Sequence, residues 1–430
     1  MANHRRDPIT CFEAGSGFNE PWIGSRDIVG DDIVMLGTLA ERRLIDLNIV
    51  GNEVAVRGTT HVGLVILPSG RRLVIRSKIP NIVLLDWLAY LGKFPRLSHW
   101  LPESGAAAVK SDQDDWHLCI ARLFLHAMDH VTRQHLRKGY VVVSACDSAI
   151  RGRILISKLG QELYRLPRVP QLQRQRTFDT PFNIVLALAL DRLPSLLSDG
   201  RTEDRRKMAM LREQWASVRR DISDPLTAAV AAQSAEPPGY REALQLARLI
   251  LIGAVLDPES IMGGQAFTLS MPAIWEDGLR RMLSESACET GWNPLPREAR
   301  TRRWDDAPGH SDEKRWMTAD AIVEQAGKRW VLDGKYKNEF GNESRSDRFQ
   351  MCAYAMAFNA DRISLVYPSE SHTPIRRLLS AMVGTKSVKI DSIALPMRMG
   401  PVTCRTRLTK IVNQFTSGET GAKTAGDPRP

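Results

Sequence analysis

Two carboxylates and a lysine, Asp320, Asp333 and Lys335, stand close together in the chain. Residues 317–323 and 329–336 read as strands, and 324–328 as the hairpin turn between them. Side chains alternate along a strand, so Asp333 and Lys335 project from one face, and the neighbouring strand brings Asp320 beside them. A hard cation held by two carboxylates polarises a phosphate and lowers the pKa of an attacking water. An ammonium next to it orients that water and offsets charge in the transition state. This is the chemistry of phosphodiester hydrolysis.

Two helices must bracket these strands. The first spans about 272–288 and places Ile274, Trp275, Leu279, Met282 and Leu283 on a broad apolar side. Glu276 sits among them, either paired with Arg280 one turn on or serving as a third acid of the site. The second spans about 345–359, with Phe349, Cys352, Ala353, Met356 and Ala357 at core spacing. Asp347, Gln350 and Tyr354 share another face, which either lines the cleft or is an ordinary polar side. A strand over 363–367 follows. An isolated D-x-K tripeptide has little specificity. The ordered series of acid-bearing helix, acid on a strand, hairpin, D-x-K, Q-x-x-x-Y helix and strand has much more.

The rest of the chain reads as two further regions, as its 430 residues suggest. Residues 1–110 form a β-rich module, with strands at 33–36, 53–57, 62–67 and 72–75 and a helix at 81–91 stopped by Gly92. Residues 111–257 are mainly helical. A long helix over 114–136 stops at Gly139, strand-like pieces cover 140–144 and 153–157, and 164–176 is an irregular basic stretch. Thr180-Pro181 starts a helix, and helices fill most of 182–197, 203–218 and 240–255. Residues 258–416 hold the candidate site, and 417–430 read as a disordered tail. The fold class expected is mixed α/β.

The net charge of +10 is dominated by arginine, which supplies 45 of the 59 basic residues. That balance favours a phosphate-rich partner such as DNA. The longest apolar runs, 184–190 and 249–256, are too short to span a bilayer, and residues 1–15 lack the apolar stretch of a secretory signal. No membrane association and a cytoplasmic location are therefore expected. The six cysteines form no C-x-x-C pair and are assigned to packing. His126 and His130 lie one turn apart, with Cys119 earlier on the same helix, but no closed ligand set accompanies them and zinc is not expected.

At the residues quoted the chain resembles the McrC family, the nuclease subunit of McrBC-type modification-dependent restriction systems. The resemblance rests most on 332–337 (LDGKYK) and 347–355 (DRFQMCAYA). It extends to 73–79, Gly139-Tyr140, 151–154, 179–183, 274–276 and Ala319-Asp320. It implies a PD-(D/E)xK restriction-endonuclease-like α/β/α domain that cleaves DNA. Asp320 and Asp333 would hold Mg²⁺, or Mn²⁺ in its place. Lys335 and Glu276 would complete the catalytic set, with Gln350 and Tyr354 in support. Two departures stand out: Ala319 replaces the proline of the motif, and Gly334 fills a spacer often occupied by alanine.

The resemblance also implies an AAA+ GTPase motor that recognises modified DNA of the 5-methylcytosine type, with the regions before about residue 260 as its docking arm. No G-x-x-x-x-G-K-[ST] loop occurs here, so the motor must be another chain. The alternatives are a non-catalytic DNA-binding or assembly subunit and a stand-alone repair-type nuclease.

Overall fold

Apolar residues fall on two alternating faces along Ala321–Gln325, Lys328–Gly334 and Arg362–Pro368, three adjoining strands of the largest sheet among the described residues. In the computed structural model the described residues are 8–13, 23–25, 28, 30–50, 53–92, 116–134, 136–159, 168–197, 201–220, 237, 239–253, 265–303, 316–337, 344–369, 376–383 and 386–416. The large sheet has six strands in the order Asn293–Pro294, Ala321–Gln325, Lys328–Gly334, Arg362–Pro368, Lys386–Leu395, Arg376–Val383. The hairpin between Ala321–Gln325 and Lys328–Gly334 turns through Ala326 and Gly327, at φ 50° and 75°. Strand Lys328–Gly334 then pairs in parallel with Arg362–Pro368, placing Asp333 opposite Leu365. A parallel pair needs a crossover, and helix Arg345–Phe358 lies within it.

The period of two sorts the sheet's side chains onto two faces. Ala321, Val323, Trp330, Leu332 and Val366 pack with Trp275 and Leu279 of helix Met271–Thr290 and with Leu408 of helix Pro401–Thr416. Ile322, Val331, Ile363 and Leu365 pack with Met351, Tyr354 and Phe358 of helix Arg345–Phe358. Helices thus cover both faces, as a sheet with a parallel centre requires.

Helix Met271–Thr290 is defined by its ends. The Ser270 side chain accepts from Ala273 N, Pro272 occupies the first turn, and Gly291 closes the helix at φ 78°. Strand Gln265–Ser270 runs straight into it and pairs antiparallel with His61–Ile66. That pairing belongs to a four-stranded sheet completed by Ile9–Phe12 and Arg72–Arg76. The sheet therefore draws strands from both sides of residue 258. Helix Asn81–Tyr90 joins the same contact: Trp87 meets Trp275 at 5.8 Å between ring centroids, and its Nε1 donates to Met397 O at 3.1 Å. A Cβ at Gly278 would lie 2.5 Å from the Trp87 ring, so glycine is what lets that helix approach.

Several expectations fail. Residues 33–36 are not a strand but part of helix Gly30–Glu41, in which Asp32, Met35, Leu36 and Leu39 are buried at helical spacing. The β-branched pair there is outweighed by an apolar period of 3.6. The supposedly irregular basic stretch contains strand Val169–Thr177, paired along its whole length with Gly139–Asp147. Its Gln and Arg side chains hide the alternation, and ladder hydrogen bonds hold it. Gly139 begins that partner strand, and 153–157 splits into strand Arg153–Ile154 and helix Ile156–Leu159. The helix start at Thr180-Pro181 is as expected, with Thr180 Oγ1 accepting from Asn183 N at 3.3 Å. The tail 417–430 lies outside the described residues, and among these no helix is long and apolar enough to cross a membrane.

Candidate active site

Asp333 is the penultimate residue of strand Lys328–Gly334 and only 3% exposed. Lys335 follows the strand end, where its amide still donates to Val366 O at 2.9 Å and so continues the pairing. Its Nζ lies 2.6 Å from Asp333 Oδ2, as two residues on one face of an extended chain should. Asp320 does not sit within one continuous strand, as expected, but in a bend between Trp316–Thr318 and Ala321–Gln325. The bend turns its carboxylate inward, and Oδ2 accepts from Gly334 N at 2.7 Å. A Cβ at Gly334 would stand 3.3 Å from both Leu279 and Trp275, so the bare spacer admits Asp320 and the helix together.

Helix Arg345–Phe358 supplies the facing wall. Ser344 and Asp347 form a capping box at its start, and Asp347 also ion-pairs with Lys337. One turn on, Gln350 Oε1 accepts from Lys335 Nζ at 2.7 Å, while its Nε2 donates to Tyr354 Oη at 2.9 Å. The Tyr354 hydroxyl lies 3.2 Å from both Asp333 Oδ1 and Thr318 O. Lys335, Gln350, Tyr354 and Asp333 thus close a ring of polar contacts. The face carrying Asp347, Gln350 and Tyr354 does line the site, whereas the expected core side is wrong. Phe349 and Met356 are 61% and 70% exposed, and Met351, Tyr354, Ala355 and Phe358 are buried instead. Pairing with Lys335 and Lys337 lets the polar face turn toward the sheet.

Glu276 lies in the second turn of helix Met271–Thr290, half-buried. Arg280 is not its partner: that guanidinium donates to Asp277 Oδ1 at 2.8 Å and to Asp320 O at 3.1 Å. Glu276 is left facing the other acids. Burial and then the charges of Asp320 and Asp333 push its pKa up to about 7. Burial and the Asp333 charge raise Asp320 to about 6, and burial raises Asp333 against the pull of Lys335. Among the described residues no three His, Cys, Asp or Glu side chains form a closed metal-holding group. Asp320 and Asp333 are the pair that can hold a cation, with Glu276 an acidic neighbour. A pair of carboxylates suits Mg²⁺, which is commonly bound through one or two carboxylates and seldom uses an all-protein cage.

Three contributors were not anticipated. Arg300 grips the backbone of the Asp320 bend, donating to Ala319 O at 2.6 Å and to Asp320 O. Tyr336, next to Lys335, donates to Glu13, whose Oε1 and Oε2 lie 3.1 and 3.0 Å away. Glu13 is 0% exposed, also accepts from Lys78 N at 2.9 Å, and is pushed by burial to about 7. No strand was expected at Ile9–Phe12, so nothing marked Glu13 in advance. Nothing marked Arg300 either, one arginine among many.

A protein-family model described as McrBC 5-methylcytosine restriction system component matches residues 56–368, a span that includes every anticipated site residue. No curated protein matches the chain. Among solved structures, a chain of the refined half-complex from the tetradecameric assembly of Thermococcus gammatolerans McrB AAA+ hexamers with bound McrC is similar. It is 14% identical with a TM-score of 0.54, over 94% of this chain and 100% of that one. A chain of the cryo-EM structure of the Thermococcus gammatolerans McrBC complex has 13% identity and a TM-score of 0.42, over 65% and 88%. The first likeness agrees with the mixed α/β class expected.

Proposed function

The chain belongs to the McrBC 5-methylcytosine restriction system component family, and from that premise we propose that it is the system's Mg²⁺-dependent DNA endonuclease subunit, with a PD-(D/E)xK site. The observation that carries this reading is the meeting of Asp320, Asp333 and Lys335 at one strand end, with Gln350 holding the lysine. Asp320 and Asp333 would hold the cation, Mg²⁺ or Mn²⁺. When bound, it supplies Lewis-acid polarisation of the phosphate and acidifies a water. Lys335 stands ready to offset charge on the phosphate oxygens, and Gln350 and Tyr354 fix its direction and that of Asp333. Glu276, facing Asp320 and Asp333, is the further carboxylate placed to take a proton beside them.

The partner in this reading is a separate AAA+ GTPase, in keeping with the assembly of McrB hexamers with bound McrC named for the similar structure. The sheet built from Gly139–Asp147, Arg153–Ile154 and Val169–Thr177 exposes Tyr140 and Val142 beside Arg153, Arg174 and Arg176. A mixed apolar and cationic face of this kind suits a protein partner. The test is cleavage of 5-methylcytosine-containing and unmodified plasmid, with and without the motor, GTP and Mg²⁺. Cleavage should need the modified base and all three additions, and Asp333→Ala should abolish it while leaving assembly intact. Unchanged cleavage by Asp333→Ala would overturn the assignment in favour of a non-catalytic role for this cluster.

A further inference from the structure

Ala319 stands where the motif of the family it resembles has proline, and the backbone there is held by other means. A proline fixes φ near −65° and removes a donor, whereas alanine leaves φ free and keeps its N–H. Here that N–H donates to Arg300 O at 3.0 Å. The Arg300 guanidinium returns the contact, with Nη1 donating to Ala319 O at 2.6 Å and to Asp320 O. Arg280 Nε, from helix Met271–Thr290, donates to Asp320 O as well, at 3.1 Å.

The local fold explains how Arg300 comes to be there. It ends the short 3-10 turn Glu298–Arg300 and leads directly into strand Thr301–Arg303. That strand pairs antiparallel with Trp316–Thr318, with Thr301 opposite Thr318, so Arg300 falls beside Ala319. The side chain is drawn in, and the residue is 6% exposed. Asp320 is consequently pinned from opposite ends. Two guanidiniums take its carbonyl, and Gly334 N takes its carboxylate at 2.7 Å. A charge-assisted hydrogen bond is about twice as strong as a neutral one, so two of them on one carbonyl resist rotation of that peptide plane.

We propose that Arg300, assisted by Arg280, is the positioning residue that aims the Asp320 carboxylate at the cation site, a reciprocal clamp with Ala319 that takes over the work of the missing proline. This rests on the reading of Asp320 as a metal ligand. The clamp acts through the backbone, on the carbonyls of Ala319 and Asp320.

The test uses the full-length chain and the variants Arg300→Met, Arg300→Lys, Arg280→Ala and Asp320→Asn. Mn²⁺ binding without DNA is measured by titration calorimetry, alongside the Mg²⁺ dependence of plasmid cleavage with the motor present. Arg300→Met should weaken Mn²⁺ binding by about 10–100-fold, the usual effect of losing a partner that orients a ligand. It should raise the Mg²⁺ needed for half-maximal cleavage in parallel, with cleavage at saturating Mg²⁺ recovering most of the wild-type rate. Arg300→Lys, which keeps the charge and a donor nitrogen, should recover much of the affinity, and Arg280→Ala should shift it by a few-fold. A folded Arg300→Met chain with wild-type Mn²⁺ affinity overturns the proposal. If that variant does not fold, wild-type affinity in both Arg300→Lys and Arg280→Ala overturns it instead. A wild-type chain that binds no Mn²⁺, or an Asp320→Asn chain that binds it equally well, defeats the metal reading itself.

Discussion

Lys335 Nζ lies 2.7 Å from Gln350 Oε1, so the ammonium that pairs with Asp333 is also tied to the helix across the cleft. Strand and helix thereby agree on one position for a charge that a long, flexible side chain would otherwise spread over several rotamers. Lys335→Met should lower cleavage by about 10²–10³-fold, the range for losing one preorganised donor at a transition state. Mn²⁺ binding should be retained, because the substitution removes a positive charge that competes with the metal for Asp333. Loss of Mn²⁺ binding in calorimetry would instead make Lys335 a structural support of the carboxylates.

Gln350→Ala leaves Lys335 with Asp333 alone and frees the Tyr354 hydroxyl from one of its neighbours. Cleavage should fall by about 10–100-fold, as for other outer-shell partners, with little change in melting temperature. A variant with wild-type cleavage would show that Lys335 needs no support from the helix.

The acids also predict how metal binding follows pH. Glu276 is raised from 4.5 to about 7 and Asp320 from 3.8 to about 6, both mainly by burial. A raised folded-state pKa means that the metal-free fold favours the protonated acids. Their stabilising contribution is full below the ordinary carboxylate values and is lost as pH rises through about 6 to 7. A dication demands the ionised forms, so binding should release protons below about pH 7 and tighten as pH rises, levelling off above. Calorimetry in buffers of different ionisation enthalpy measures that release. No proton release at pH 6 would show that the acids are already ionised there.

Gly278→Ala tests the packing that seats the site helix. Alanine gains about 1 kcal/mol of helix propensity over glycine, but its Cβ would meet the Trp87 ring at 2.5 Å. Trp87 is fully buried, hydrogen-bonded to Met397 O and packed on Trp275, so it cannot turn aside. Overpacking of this kind costs about 1–3 kcal/mol, and the clash should win, lowering the melting temperature. A stabilised variant would mean that the ring has room to move.

Much of the site was legible because its residues lie on regular elements close in sequence. The period of two brought Asp333 and Lys335 together, and helical spacing put Gln350 and Tyr354 on one face. What escaped depended on distant segments. The bend at Asp320 is set by Arg300, and no local pattern at 317–323 marks a break there. Glu13 reaches Tyr336 from the far end of the chain, and sequence distance hides such a contact. The core face of helix Arg345–Phe358 was misread because Tyr354 is counted as polar by pattern yet is 3% exposed, its hydroxyl satisfied inside. Helix Gly30–Glu41 shows the converse, two β-branched residues overruled by the burial of Met35, Leu36 and Leu39.

Strand Gln265–Ser270 passes into helix Met271–Thr290 without a spare residue, while its other side is laced to His61–Ile66. That junction works as a crank rather than a joint, since no loop intervenes to absorb a twist. Glu276 stands about 8 Å along the helix axis from the junction, at 1.5 Å per residue. A tilt of about 5° in the four-stranded sheet would carry the acid about 0.7 Å, close to the 1 Å misplacement that can cost an enzyme 10²-fold in rate. A tilt of the first sheet would thus reach the acid that faces Asp320 and Asp333 unless the packing of Trp275 on Trp87 and Val366 O held the helix in place.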